Sequence, residues 1–320
     1  MKESAPHSID PELVFKAWEK IKGHVHHTPV LTSSLFNKRI GARVFFKAEN
    51  LQRTGSYKIR GATHAILSLS EKDRKKGVVT HSSGNFAQAL SRAAGNFGIP
   101  AYIVMPTNAP RIKREAVKLY GGKITDCEPT LEARESAAFK IKEETGATFV
   151  HPSNDLQVIL GQGSAAVEFI HKVLDLNCLV APVGGGGLLA GTALAASFLS
   201  PTCEVIGAEP FEVDDAYRSL QSGRIETNKT TNTIADGLRT QLGDVSFPII
   251  KKHVSRIIRV EEQEIKDAMR WVWERMKIII EPSSAVAVAA VLREPYYFEG
   301  KKVGILISGG NTDVGQPVFL

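Results

Sequence analysis

Apolar positions along the chain follow two rhythms. Short unbroken runs at Val44–Phe46, Val78–Thr80, Ala101–Met105, Leu179–Ala181, Val205–Ile206 and Val303–Ile307 are bounded by Gly, Pro or charge and rich in β-branched residues, the signature of buried strands. Between them lie stretches with helical spacing. The clearest is Glu261–Lys277, where Ile265, Met269, Val272 and Met276 share one face and Glu262 and Lys266 form an i,i+4 pair on the other. Strand and helix alternating in this way predict an α/β fold, a parallel sheet covered by helices on both faces. No internal repeat suggests a solenoid, and no Ser/Gly/Pro-rich linker marks a domain boundary.

Composition narrows the picture. The chain has 320 residues, 43% hydrophobic and 23% charged, which is ordinary for a globular protein of about two domains. No apolar run approaches the roughly 20 residues that cross a bilayer, so no membrane partner is expected. The net charge of +6 comes from scattered Lys and Arg rather than from a patch or stripe, which argues against a nucleic-acid partner and suits a small anionic ligand. Cys127, Cys178 and Cys203 are far apart and form no CxxC, so neither a disulfide framework nor a zinc site is expected. With no apolar stretch in Met1–Pro11 to act as a secretory signal, the expected location is the cytoplasm.

Candidate chemistry gathers where strands end. Leu179–Pro182 runs into Gly184, Gly185, Gly186 and Gly187, then a helix opening with Leu188. Glycines let backbone N–H groups converge on an anion, and the helix N-terminus adds its positive dipole end, so this loop reads as a phosphate cradle. Gly185-x-Gly187-x-x-Ala190 also satisfies the dinucleotide fingerprint, with Glu209 as a ribose-binding acid, which makes a nicotinamide-dependent oxidoreductase the rival. Two further loops bear on the choice. In Gln52–Ala62, Lys58 follows small hydroxyl residues at the start of a helix with an apolar face; desolvated there, its amine is set to form a Schiff base. In Val79–Ala87, the strand ends in Ser82, Ser83, Gly84 and Asn85, a loop suited to holding a carboxylate. The last strand ends in Ser308-Gly309-Gly310-Asn311.

Lys58 in SYKIRGA, the SSGN loop, the GGGG loop and the terminal SGGN together resemble the fold-type II pyridoxal-phosphate (PLP) enzymes, and among them the serine racemases and threonine/serine dehydratases. The resemblance runs from about Val25 to Asp313 and favours PLP over a nicotinamide cofactor. It implies the tryptophan synthase β-like fold: two open parallel-sheet domains, a large one from residues 1–75 and 152–320 and a small mobile one, 76–151, inserted in it.

What the resemblance implies for single residues follows from the matching motifs. Lys58 would carry PLP as a Schiff base and act as base on one face of the substrate Cα, with Ser83 working on the opposite face. Gly184, Gly185, Gly186, Gly187 and Leu188 would hold the phosphate. Tyr57 and Asn85 would lie against the ring and its 3′-oxygen, Gly237 beside the cofactor, and Glu281 behind the ring. Ser308 would face the pyridine nitrogen, where a neutral hydroxyl leaves that nitrogen less protonated than an Asp would. Ser82, Ser83, Asn85 and Arg134 would meet the substrate. Glu209, the Val213 carbonyl and Asp215 would bind Mg²⁺, or Ca²⁺ or Mn²⁺, as hard oxygen ligands. Ser33, Ser34, Leu35, Arg53, Thr54, Gln88, Lys113, Tyr120 and Asn311 match a site for ATP, an allosteric activator, at the interface of a homodimer. The implied activity is interconversion of L- and D-serine with elimination to pyruvate and ammonia. Its alternative is a dehydratase of threonine, serine or 3-hydroxyaspartate without significant racemisation. Two departures bear on substrate choice: Phe86 stands where the family usually has the His of SSGNH, and Ser153 where relatives often carry Asn.

Overall fold

The computed structural model describes residues 9–82, 84–109 and 111–313, with Ile112 described by its backbone alone. Ten strands are present among the described residues: β1 (Val30–Thr32), β2 (Arg43–Ala48), β3 (Val78–His81), β4 (Ala101–Pro106), β5 (Lys123–Cys127), β6 (Thr148–Phe149), β7 (Cys178–Pro182), β8 (Glu204–Pro210), β9 (Arg256–Val260) and β10 (Lys302–Ile307). They form a six-stranded sheet in the order β1-β2-β10-β7-β8-β9 and a four-stranded sheet in the order β5-β4-β3-β6. Every neighbouring pair is parallel except β1 with β2. The strands of the smaller sheet all lie between Val78 and Phe149, in sequence between strands of the larger.

All six expected strands are present, and four more join them. β1 and β5 lie at sheet edges, β5 with a mostly solvated sequence, KITDC, while β6 has two residues. A continuous apolar run marks a strand buried on both faces, as in β3 and β7, and is silent about edges. The helix expected over 261–277 is an α-helix at Glu262–Trp271 that widens into a π turn at Val272–Met276. Glu262 accepts a hydrogen bond from the Ile234 N–H (2.8 Å) rather than from Lys266.

Helices cover the sheets by burying their apolar faces. The helix Pro282–Arg293 packs Val286 and Val288 against Val44, Val180 and Ile206 on one face of the large sheet. Leu156–Lys172 and Gly187–Leu199 cover the other, against Leu179 and Val205. These two helices meet at backbone distance, since a Cβ on Gly163 would stand 2.5 Å from the Gly191 carbonyl oxygen. The helix Lys58–Ser68 contributes Ile59 and Ile66 to the small sheet's core, beside Val78, Phe86, Leu90 and Ile103. It thus links the two sheets at the C-terminal ends of their strands, where open α/β sheets bind ligands. Among the described residues no helix is long and apolar enough to cross a membrane.

Candidate active site

Backbone pairing stitches the Lys58 loop to the end of β10. Ser56 bridges to Gly309, the Tyr57 N–H donates to the Ser308 carbonyl (3.0 Å), and the Gly310 N–H donates to the Gly55 carbonyl (2.9 Å). Asn311 then ties in the Ser82–Asn85 loop, its amide nitrogen donating to the Thr54 carbonyl (2.7 Å) and to Asn85 Oδ1 (3.0 Å). Asn85 in turn donates to both oxygens of Glu281, at 2.9 and 3.0 Å. Burial pushes the Glu281 carboxyl up to about 7, against the stabilising bonds from Asn85. Four segments far apart in sequence thereby meet beside Lys58.

Lys58 is the first residue of the helix Lys58–Ser68. Its Nζ donates to the Pro152 carbonyl (3.0 Å) and lies 4.9 Å from the Tyr57 ring centroid and 5.9 Å from that of Phe86. Desolvation lowers its pKa to about 8, with Glu281 pulling the other way. A substantial fraction of the amine is therefore neutral near physiological pH, as a nucleophile or general base requires.

The acceptor for Lys58 sits in a turn built around His151. Its Nδ1 accepts hydrogen bonds from the Ser153 N–H (3.2 Å) and the Asn154 N–H (2.8 Å), so that nitrogen carries no proton. Burial, with His81 and Lys58 nearby, pushes His151 down to about 4. The Gln162 amide also donates to the Pro152 carbonyl (3.3 Å).

The same turn walls the glycine loop. A Cβ on Gly185 would stand 2.1 Å from Ser153 Oγ, and one on Gly184 2.9 Å from Leu238 Cα. Gly186 adopts φ +82°, a left-handed conformation that favours glycine, and no side chain caps the helix that follows. The free N–H groups and the dipole at Gly187–Leu199 therefore form an anion cradle, backed by Gly237, whose N–H donates to Ser283 Oγ (3.0 Å). Ser308, just past β10, is buried, 2.9 Å from Ser284 Oγ. A phosphate cradle, a desolvated lysine and a buried hydroxyl fit PLP in shape and chemistry.

The remaining expected residues fall in several places. Ser83 lies outside the described residues. Ser82 follows β3, its N–H donating to the Val104 carbonyl (3.2 Å) and its Oγ accepting from the Gly84 N–H (3.4 Å). Arg134 Nε donates to the Thr130 carbonyl on its own helix (3.2 Å), and its charge helps to lower the pKa of His81. Glu209 and Asp215 are fully buried at the start of the helix Asp215–Ser222, with Val213 buried between them in sequence. The Glu209 oxygens accept from the Ala216 and Tyr217 N–H groups (3.1 and 2.9 Å), and Asp215 accepts from Asn228 (2.8 Å) and the Leu242 N–H (2.9 Å). Two buried carboxylates would offer hard oxygen donors to a divalent cation, and all four of their oxygens already accept hydrogen bonds from the protein. Among the described residues no three His, Cys, Asp or Glu side chains form such a set.

The nucleotide-site matches divide. Arg53, Thr54 and Asn311 adjoin the Lys58 loop, Gln88 is buried in the helix Asn85–Asn96, and Lys113 pairs with Asp236 beside Gly237. Tyr120 stacks near Arg92 (5.9 Å). Ser33, Ser34 and Leu35 instead open the helix after β1, where Ser33 lines a cleft with Arg275 and Met276.

Sequence reading missed His151, the Pro152 carbonyl, Gln162 and Ser284. A backbone carbonyl leaves no compositional trace, but the His-Pro pair closing β6 and the paired serines after Glu281-Pro282 were visible signals.

A family model described as pyridoxal-phosphate dependent enzyme matches residues 21–309. The chain belongs to this family. Among its curated relatives, the serine racemase of Dictyostelium discoideum is 50% identical over 305 residues, covering 94% of each chain. The β-hydroxyaspartate dehydratase of Paracoccus denitrificans (strain Pd 1222) is 47% identical over 305 residues, covering 95% of this chain and 97% of that one. The crystal structure of the Dictyostelium discoideum serine racemase superposes with a TM-score of 0.92 at 49% identity, covering 96% of this chain and 99% of that one. The two sheets and their helices are thus the fold-type II architecture of PLP enzymes.

Proposed function

We propose that the protein interconverts L- and D-serine and also eliminates water from serine, releasing pyruvate and ammonia. The observation that carries this reading is Lys58, a desolvated amine bonded to the Pro152 carbonyl rather than to a carboxylate, in a turn whose Ser153 packs against the uncapped glycine loop. PLP, when bound, supplies the electron sink that stabilises negative charge at the substrate Cα. The glycine loop and Leu188 would hold its phosphate, Tyr57, Asn85 and Gly237 would lie against the ring, with Glu281 near it, and Ser308 would face the ring nitrogen. Lys58 would carry it and move the Cα proton on one face, and Ser83 is the residue assigned to the other. Ser82, Asn85 and Arg134 orient the substrate. Ser83→Ala abolishes interconversion while elimination of L-serine survives.

Glu209, Asp215 and the Val213 carbonyl bind Mg²⁺ or a similar hard cation. ATP bridges the divided residue set, with Ser33, Ser34 and Leu35 of one copy meeting the Arg53 group of another in a homodimer. Residues 76–151 form a mobile unit that closes the Ser82–Asn85 loop over substrate and excludes water. The enzyme works in the cytoplasm on a small amino acid.

A time course with L-serine, PLP, Mg²⁺ and ATP, resolving D-serine from pyruvate in the same samples, tests the reading. D-serine together with pyruvate supports it. Pyruvate alone makes the protein a dehydratase, a second reading favoured by the likeness to the Paracoccus denitrificans enzyme. In that case turnover of 3-hydroxyaspartate exceeds turnover of serine.

A further inference from the structure

The glycine loop leans on a buried hydroxyl to which the reaction above gives no role. Ser246 opens the helix Ser246–His253 and is fully buried. Its Oγ donates to the Gly185 carbonyl at 3.1 Å and accepts from the Gly243 N–H at 3.1 Å. The Gly243 carbonyl lies farther off, at 3.3 Å, and already takes the Phe247 N–H at 2.9 Å. Among the described residues no other group donates to the Gly185 carbonyl. The single hydroxyl proton therefore belongs to the bond with Gly185. The same helix packs against the next glycine. A Cβ on Gly186 would stand 2.7 Å from Ser246 Oγ and 2.9 Å from Ile250 Cδ1.

The peptide between Gly185 and Gly186 is trans and planar, so its carbonyl and its N–H point in opposite directions. Holding the carbonyl on Ser246 thus aims the Gly186 N–H away from the helix Ser246–His253. Among the described residues nothing accepts from that N–H, although the loop is buried. A donor so placed calls for an acceptor from outside the chain. Glycines on both sides of a peptide leave it free to turn over, because neither has a Cβ to resist. Turned over, it would present a carbonyl oxygen to an anion instead of an N–H. We propose that Ser246 is a positioning residue of the cradle, whose hydroxyl pins the Gly185 carbonyl and so keeps the Gly186 N–H on the phosphate of bound PLP. The inference rests on the reading that the glycine loop holds that phosphate.

The test titrates PLP and pyridoxal, which has the same ring and aldehyde but no phosphate, into the full chain stripped of cofactor. The ratio of the two dissociation constants isolates the phosphate contacts. In Ser246→Ala the preference for PLP over pyridoxal falls by about tenfold, the effect of one hydrogen bond to a charged group, while pyridoxal affinity stays within about twofold of wild type. Ser246→Thr keeps the hydroxyl and the wild-type preference. A merely structural role weakens both ligands together and leaves the ratio where it was. An unchanged ratio in Ser246→Ala, or one that falls as far in Ser246→Thr, overturns the inference. Should Ser246→Ala fail to fold, Ser246→Cys, close in size but a much weaker donor, carries the same comparison. Wild type separates the two levels. If it binds pyridoxal as tightly as PLP, the glycine loop does not hold the phosphate and the underlying reading fails; if it prefers PLP and the Ser246 variants do too, only the role of Ser246 fails.

Discussion

Lys58 and Arg60 stand two residues apart on one helix, and the chain treats their charges in opposite ways. Arg60 is fully buried and saturated: Nε and Nη2 donate to Glu49 (2.7 and 2.8 Å), Nη1 and Nη2 to Glu168 (2.7 and 2.8 Å), and Nη1 also to Ser164 Oγ (3.2 Å). Lys47 completes the group through Glu168 (2.6 Å), so two cations face two carboxylates. Burial opposes the charge on Arg60, yet Glu49 and Glu168 outweigh it and hold its pKa above the ordinary value. Lys58 has a carbonyl in place of a carboxylate, and its pKa falls to about 8. The difference teaches that burial alone does not mark a reactive group. Compensation keeps Arg60 charged and inert, and its absence makes the Lys58 amine available.

Removing each side chain should separate the two roles most strongly. Arg60→Met leaves two buried carboxylates facing Lys47 alone and costs about 3–5 kcal/mol in urea unfolding. Lys58→Met removes an uncompensated amine, abolishes turnover, and leaves stability within about 1 kcal/mol of wild type or above it. The pH dependence has a definite sign. In cofactor-free protein Lys58 titrates near 8 when folded and at 10.5 when unfolded, so between those values the unfolded chain binds more protons and stability rises with pH. Below pH 8 the full penalty applies. Lys58→Met lacks that rise, and a variant that shows it would break the comparison.

Much of this contrast was legible in the chain. Lys58 declared itself by its setting, small hydroxyl residues before it and an apolar helical face after it, and the glycine loop by four residues that only a close approach explains. The compensating group was equally visible in principle. Lys47 interrupts the apolar strand VFFKA, and Glu168 interrupts the apolar helix segment AAVEFI. Isolated charges in buried runs need partners, but sequence alone does not say that these two find each other through Arg60, because helix packing decides it. The edge strands β5 and β6, the Pro152 carbonyl and the Ser284 hydroxyl were hidden for the same reason: their roles arise from tertiary position.

Glu281 sharpens the comparison from the other side, since it is the carboxylate whose field raises the pKa of Lys58 without bonding to it. Glu281→Gln lowers the Lys58 pKa below 8, read as a shift to lower pH in the midpoint for PLP uptake by the cofactor-free protein. Glu281 itself, pushed up to about 7 by burial, binds a proton when folded that the unfolded chain has released above about 4.5. Its contribution to stability therefore falls as pH rises from 4.5 to 7 and is flat in the Gln variant. An unmoved uptake midpoint would show that Lys58 owes its pKa to desolvation alone.

His151 supports Lys58 at one remove by shaping the turn that offers the Pro152 carbonyl. His151→Leu strands two backbone N–H groups and costs about 1–3 kcal/mol, whereas His151→Asn presents an oxygen near the place of Nδ1 and recovers most of it. The imidazole titrates at about 4 when folded against 6.5 when unfolded, so its contribution is present above pH 6.5 and is lost as pH falls toward 4. Equal losses in Leu and Asn, or a wild-type acid limb that persists in the Leu variant, would remove His151 from the support of the site.

The smallest effect is expected at Phe86, the apolar neighbour of Lys58. Its ring is buried with Ile59 and Leu90 in the small sheet's core, and its centroid lies 5.9 Å from Nζ. It keeps water from the amine on that side but offers a substrate no hydrogen bond. Phe86→His places a donor there at a cost of about 1–2 kcal/mol for burying a polar ring. A substrate with a second carboxylate gains more from that donor than serine does. The ratio of kcat/KM for 3-hydroxyaspartate to that for serine should rise by about threefold to tenfold, the range of one added hydrogen bond. A ratio that stays fixed while both activities fall would mean that Phe86 acts only through the desolvation of Lys58, and that discrimination lies with Ser153 beside the glycine loop.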